Sequence, residues 1–306
     1  LKVRELPLVF DCLGHELVGM VHAPEIARPR GLLFILAGAS QYRGGMCRSQ
    51  LQMAREWAAQ GVPVMRFDHR GLGDSAGPLL GFRDLEADLA AALQTFLAAV
   101  PGMQEVVLFG GCDAASGTLI NAWKFPAVTG IVLGNPWVHS VVTGDKIAMA
   151  HFSQRLRDLD FWLKFLRGGY NPLPAIATVS RLLWGRLRRL WRQDDPVAAD
   201  VEFRDDPSLP HLLRMRNGLQ RFKGDVLLLM SGRSLVSREF DLVVQDDPDW
   251  QAAMRAPRRW TRHDMPDADQ AFSTIADRAQ VSRATLAWLL DPTAPIAPAP
   301  GAVSAA

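Results

Sequence analysis

The stretch VVLFGGCDAAS (residues 106–116) decides how the rest of the chain is read. An apolar run ends in Gly110 and Gly111, then comes Cys112, then Asp113 and a series of small residues able to open a helix. A buried strand that turns abruptly into a helix needs small residues at the bend, because the backbone on the two sides comes into contact. Gly110 and Ala114, two before and two after Cys112, meet the steric requirement for a nucleophile held at the apex of such a turn. The pattern alone leaves a second reading open, since free cysteine is often a small core residue.

Working outward, apolar runs alternate with amphipathic ones. Residues 8–10 and 17–21 flank DCLGHE and predict a hairpin. GLLFILAG (31–38), VPVMRFD (62–68), EVVLFG (105–110), GIVLGNP (130–136), DVLLLMSG (225–232) and RRWTRHD (258–264) read as strands. SQLQMAREWAAQG places Leu51, Ala54, Trp57 and Ala58 on one helical face and stops at Gly61. Residues 83–100, 113–124 and 270–290 predict further helices. Strands alternating with helices imply an α/β class with a mainly parallel central sheet and helices on both faces.

The alternation breaks between about His139 and Lys223, which reads as mostly helical. The expected layout is a core formed by residues 1–139 and 224–290, a helical cap insertion over 140–223, and a disordered Ala/Pro-rich tail over 291–306. In PAIATVSRLLWGRLRRLWRQ, Ile176, Val179, Leu183, Leu187 and Leu190 share one face, and Arg181, Arg188, Arg189 and Arg192 point away from it. Such a helix serves either as a lid with its arginines in water or as a contact with an anionic membrane or glycan.

Composition narrows the function classes. Lys and Arg exceed Asp and Glu by 34 to 32, a net charge of +2, so nothing marks a nucleic-acid binder. Cys12, Cys47 and Cys112 are odd in number and widely spaced, which predicts neither a disulfide framework nor a zinc site. No metal and no cofactor is expected, and a reducing, cytoplasmic setting is. LKVRELPLVFDCLGHEL lacks the apolar core and cleavage site of a secretory signal, and no apolar run approaches a membrane span. Oligomeric state is not legible.

Two more segments carry chemistry. DHRGLGDSAG (68–77) follows a strand, and its Gly71 and Gly73 permit a tight turn. LAGASQYRGG (36–45) follows the first parallel strand. Together with the turn at Cys112 they resemble the α/β-hydrolase fold, which implies that the backbone N–H groups of Ala39 and Asp113 form the oxyanion hole. More narrowly, LAGASQYRGG, RFDHRGLGDS, GCDAAS, GNPWV and ATLAWL resemble the exosortase A system-associated hydrolase 1 family over roughly residues 5–290. That resemblance implies a link to bacterial exopolysaccharide and PEP-CTERM sorting systems, and a cysteine at the elbow. The implied reaction is hydrolysis of a small-molecule ester or thioester through Cys112.

The partners of the nucleophile depart from the pattern. In MSGRSLVSREF, Ser234 stands at the acid position, and in MPDADQAFS, Gln270 stands where the resemblance predicts histidine. Glutamine takes up no proton near neutral pH, and serine neither orients nor charge-stabilises an imidazole. His139 and His263 are the alternative bases by position, although each also reads as an ordinary loop or strand histidine. His69 reads as packing beside the Gly-rich turn. A helix N-terminus lowers a thiol's pKa from about 8.5, while the adjacent Asp113 raises it. The pattern therefore predicts a cysteine that is acylated readily and deacylated slowly. The rival reading is a catalytically inactive binding or scaffold protein, and a third is an acyltransferase in which an acceptor replaces water.

Overall fold

A two-residue turn opens the architecture. In the computed structural model, which describes residues 1–36, 38, 41–139 and 205–291, Leu13 (φ 53) and Gly14 (φ 80) join β1 (Val3–Cys12) to β2 (His15–Pro24) as an antiparallel hairpin. Two successive positive φ values give the turn the twist of the strands it joins. There follow β3 (Arg30–Ile35), α1 (Ser49–Ala59), β4 (Val64–Asp68), α2 (Glu86–Ala99), β5 (Glu105–Gly111), α3 (Asp113–Asn121) and β6 (Val128–Gly134). After the insertion come α4 (His211–Arg221), β7 (Asp225–Ser231), α5 (Leu235–Asp246), α6 (Pro248–Met254), β8 (Arg259–Met265) and α7 (Ile275–Leu290).

Among the described residues the strands form one eight-stranded sheet in the order β1-β2-β4-β3-β5-β6-β7-β8. β2 runs antiparallel to β1 and β4, and every pairing from β4 to β8 is parallel. Alternate residues along the central strands feed two cores. Leu33, Leu108, Ile131 and Leu228 pack with α2, α3 and α4, while Phe34, Phe109, Val132 and Leu227 pack with α1 and α7. Both faces of each central strand are thus apolar, which is why these strands read as unbroken hydrophobic runs. On the second face Trp57 stacks on Phe34 at 5.4 Å and donates to Ser282 Oγ at 2.9 Å, tying α1 to α7.

Three boundaries differ from expectation, each for a local reason. The final helix begins at Ile275 rather than at Gln270. The Asp269 carboxylate accepts the backbone N–H groups of Ala271 and Ser273 and the Ser273 hydroxyl, which holds 269–273 in a turn, and Thr274 then caps the helix. α5 and α6, not expected from the sequence, are both capped, by Ser234 and by Asp247 ahead of Pro248.

Third, the chain divides into two compact units, one comprising residues 1–138 and those from 205 on, the other spanning His139–Arg204. α4, expected in the cap, belongs to the first unit. Gly218 lies so close to α3 that a Cβ there would sit 2.0 Å from the Leu119 carbonyl oxygen. The rest of the expected cap, its basic helix included, and the tail after Asp291 lie outside the described residues. No helix among the described residues is long and apolar enough to cross a membrane.

The end of β5 supplies a paired test. A Cβ at Gly110 would meet the Ala114 carbonyl oxygen at 2.5 Å, whereas at Gly111 the nearest atom is 3.9 Å away. Gly110→Ala is expected to destabilise the chain by about 1–3 kcal/mol. Gly111→Ala should stay within about 0.5 kcal/mol of the parent. Denaturant unfolding of both variants measures the difference, and equal losses would refute the close contact.

Candidate active site

Cys112 sits between β5 and α3 with φ 53 and ψ −122, a conformation that costs a non-glycine residue about 1–3 kcal/mol. The surroundings fix it there. Its N–H donates to the Gly134 carbonyl at 2.7 Å, and its own carbonyl accepts the N–H groups of Ala115 and Trp137, each at 3.1 Å. Ser116 Oγ donates to the Trp137 carbonyl at 2.6 Å, so the segment after β6 is fastened to the turn. Ala114 is fully buried beneath Gly110. The thiol points away from these contacts into a cavity of about 560 Å³. Met46, Met53, Phe82, Phe109, Trp137 and Phe272 supply much of its wall, with Gln41, Gln50, Asp113, Gln270 and Arg278 as polar elements.

Gln270 reaches Cys112 directly, its Nε2 donating to Sγ at 3.3 Å. The sequence-aligned nucleophile and base positions are therefore neighbours. Asn135 holds Gln270 in place. This fully buried amide, at φ 45 just past β6, donates through Nδ2 to the Gln270 carbonyl (2.9 Å) and to Ser231 Oγ (2.8 Å). Its Oδ1 accepts from the Ser231 N–H (2.8 Å) and the Ser237 hydroxyl (2.6 Å). One side chain thus joins the ends of β6 and β7, the first turn of α5 and the turn carrying Gln270. Its only sequence signal is the GNPWV segment, in which an asparagine after a buried strand suits a positive φ.

The other candidates are placed differently. Ser234 is buried after β7, but its Oγ accepts the Ser237 N–H at 3.3 Å as the cap of α5 and forms no hydrogen bond with Gln270. His263 lies within β8, with Nε2 3.0 Å from the Gln280 amide on α7, and is not part of the cavity wall. His139 is the first residue of the other unit and Ala39 lies outside the described residues. Among the described residues, no group of three His, Cys, Asp or Glu side chains is placed to hold a metal ion.

Asp113 does more than offer its N–H. Its carboxylate accepts the Gly38 N–H through both oxygens, at 3.0 and 3.1 Å, and pins the loop after β3 to the start of α3. Burial raises the pKa of this carboxyl group. Burial likewise raises that of the Cys112 thiol, and the neighbouring Asp113 charge adds to the effect; the Asp113 N–H and the Gln270 amide act in the opposite sense. The lowering expected from the helix N-terminus is outweighed by desolvation.

The Gly-rich segment after β4 has a structural task. Asp68, fully buried, accepts from the backbone and guanidinium of Arg43 and from the Asp74 N–H, and a Cβ at Gly73 would fall 2.4 Å from its carboxylate. Arg70 forms a buried fork onto Asp88 of α2. The motif thus anchors the loop that leads into α1. His69 is buried beside it, with its pKa lowered by desolvation, in keeping with a packing role.

With this geometry in view, solved structures give the comparison. The chain is similar to an esterase from Pyrococcus furiosus, with 13% identity, a TM-score of 0.59, and coverage of 94% of this chain and 91% of that one. It is similar to the α/β hydrolase GrgF from a Penicillium species (15%, TM-score 0.59, 94% and 98%) and to Est1E from Butyrivibrio proteoclasticus, solved with ferulic acid bound (12%, TM-score 0.56, 92% and 98%). No family model and no curated protein matches the chain. Identities of this size speak to architecture. The chain has the α/β-hydrolase fold.

Two measurements probe the site. The pH dependence of Cys112 alkylation by iodoacetamide should shift to lower pH in Asp113→Asn, which removes a like charge, and to higher pH in Gln270→Ala, which removes a donor to the thiolate. Opposite shifts would contradict the assigned causes. Asn135→Ala should cost about 2–4 kcal/mol in chemical denaturation, because it strands several buried groups at once.

Proposed function

We propose that this chain hydrolyses small-molecule esters or thioesters through a covalent acyl intermediate on Cys112. The observation that carries the reading is the strained backbone at Cys112, held at φ 53 and facing a largely apolar cavity. Strain of this kind persists where surrounding contacts over-determine it, as at a nucleophile presented on a tight turn.

Among the described residues, the ionisable side chains in the cavity wall are Cys112, Asp113 and Arg278. Asp113, a carboxylate of the cavity wall next to Cys112 in the chain, is the group assigned to hold and return a proton. Sγ attacks the acyl carbonyl carbon and its proton passes to Asp113. The bond to the leaving oxygen or sulfur breaks, and the departing alcohol or thiol takes that proton. Water then attacks the Cys112 thioester while Asp113 accepts a proton from it and delivers it to Sγ, releasing the acid. The Asp113 N–H and an N–H from the loop after β3, which the resemblance assigns to Ala39, steady the oxyanion in both steps. Gln270 orients the sulfur and donates to it, but takes no proton. His139 and His263 have no role in this scheme. The link to exopolysaccharide and exosortase systems follows the motif resemblance, and a cytoplasmic setting follows the cysteine usage.

One observation favours the rival, an inactive binding protein. The Ser234 hydroxyl is committed to capping α5, so nothing at the acid position supports a base at 270.

Intact-protein mass spectrometry with p-nitrophenyl esters and acyl thioesters separates the two. The acyl adduct should form on Cys112, decay slowly, persist longer in Asp113→Asn and be absent in Cys112→Ala. No adduct and no turnover would establish the inactive reading. Ser234→Asp with Gln270→His should raise ester turnover by about 10²–10⁴-fold, more than either change alone. Aspartate caps a helix as well as serine does, so α5 should be retained. A double variant that stays folded but is no faster would overturn the degenerate-triad reading.

A further inference from the structure

One charge in the cavity wall is not used by the scheme above. Arg278 lies in the first turn of α7, half-buried, and shares the cavity with Cys112. Its Nη1 donates to the Ser273 carbonyl at 2.5 Å, which fixes one arm of the guanidinium and leaves the rest of the fork for another acceptor.

Of the arginines near the cavity loops, three are matched with acids, while buried Arg66 donates to the Arg43 carbonyl and to His22. Arg43 pairs with Asp68 and Asp74, Arg70 with Asp88, and Arg214 with Asp205. Arg278 makes no ion pair among the described residues. The nearby Asp269 carboxylate is taken up by Ser273 and by the backbone of its own turn. The cavity's other ionisable oxygen group, Asp113, is bound to the Gly38 N–H.

The wall otherwise consists largely of apolar side chains, among them Phe109, Phe272 and Val281. A fixed guanidinium at the edge of an apolar cavity is suited to a carboxylate, which it meets with two parallel donors.

We propose that Arg278 is an anion-recognising site of the cavity and that the acyl group brought to Cys112 carries a carboxylate. This rests on the reading of Cys112 as the acylated residue. It makes Arg278 a specificity-determining residue: the carbonyl goes to the elbow, a short apolar segment lies along the phenylalanines, and the anion ends at α7.

The test begins with a reaction that needs no catalysis. In alkylation, the Cys112 thiolate displaces iodide from iodoacetate or from iodoacetamide, two reagents that differ mainly in charge. The iodoacetate-to-iodoacetamide rate ratio at Cys112 should fall about fivefold in Arg278→Gln, with the iodoacetamide rate unchanged, and should be largely retained in Arg278→Lys. An equal ratio in the parent and Arg278→Gln would overturn the anion site. A fall of both rates together would also count against it, because it would mark a collapsed cavity rather than a lost charge.

Acylation by the mono-4-nitrophenyl ester of succinic acid is then compared with that by 4-nitrophenyl butyrate, read by intact mass. The succinyl ester should react faster in the parent and lose its advantage in Arg278→Gln. If neither ester acylates Cys112 while the haloacetate ratio still depends on Arg278, the anion site stands and the hydrolase reading falls. If both esters react equally in parent and variant, the hydrolase reading stands and the anion site falls.

Discussion

The contact between Gly110 and the carbonyl of Ala114 is the constraint on which the site depends. It lets β5 run directly into α3 without a loop, and that economy forces the residue between them into a backbone conformation few side chains adopt. The cost is met by hydrogen bonds at Cys112 itself, among them one from its N–H to Gly134 at the end of β6 and one to its carbonyl from Trp137 just beyond. The central strands, buried on both faces, give the turn a rigid base. The Cys112 side chain is thereby held in a fixed place on the cavity wall.

A second point of organisation lies across the sheet edge. Asn135 gathers the ends of β6 and β7, the start of α5 and the turn after β8 into one buried hydrogen-bonded group. Gln270 is delivered to Cys112 by this group and by the Asp269 turn, rather than by the helix that follows. An amide at 270 donates to the Cys112 sulfur but takes up no proton, and the carboxylate of Asp113 lies next to that cysteine in the chain.

Much of this was legible in the sequence. The central strands announced themselves as continuous apolar runs, and the bend at Cys112 by the small residues around it. Ser234 and Gln270 were assigned to the acid and base positions by the resemblance of the segments that carry them. What could not be read was set by contacts between distant segments. The helix start at Ile275 depends on an Asp269 turn that a periodicity argument passes over. α4 packs into the core because Gly218 allows close approach to α3, a fact of partner and not of pattern. The bond between Asp113 and Gly38 spans 75 residues, so a carboxylate that looked like a helix-terminus feature is in fact a loop anchor. Arg278 sits in a helical stretch rich in charge and is singled out only by the cavity it borders.

The hairpin that opens the chain has a consequence at the sheet's outer margin. β1 is a terminal strand, bonded on one side only, and such a strand offers an open row of donors and acceptors to any other chain. Pro7, midway along it, has no N–H to offer, and Arg4 and Glu5 place opposite charges beside the row. At the opposite margin β8 carries Arg262 clasped between Asp241 and Asp264. Among the described residues neither margin presents an uncharged, uninterrupted ladder, a pattern that works against addition of a neighbouring molecule's strand.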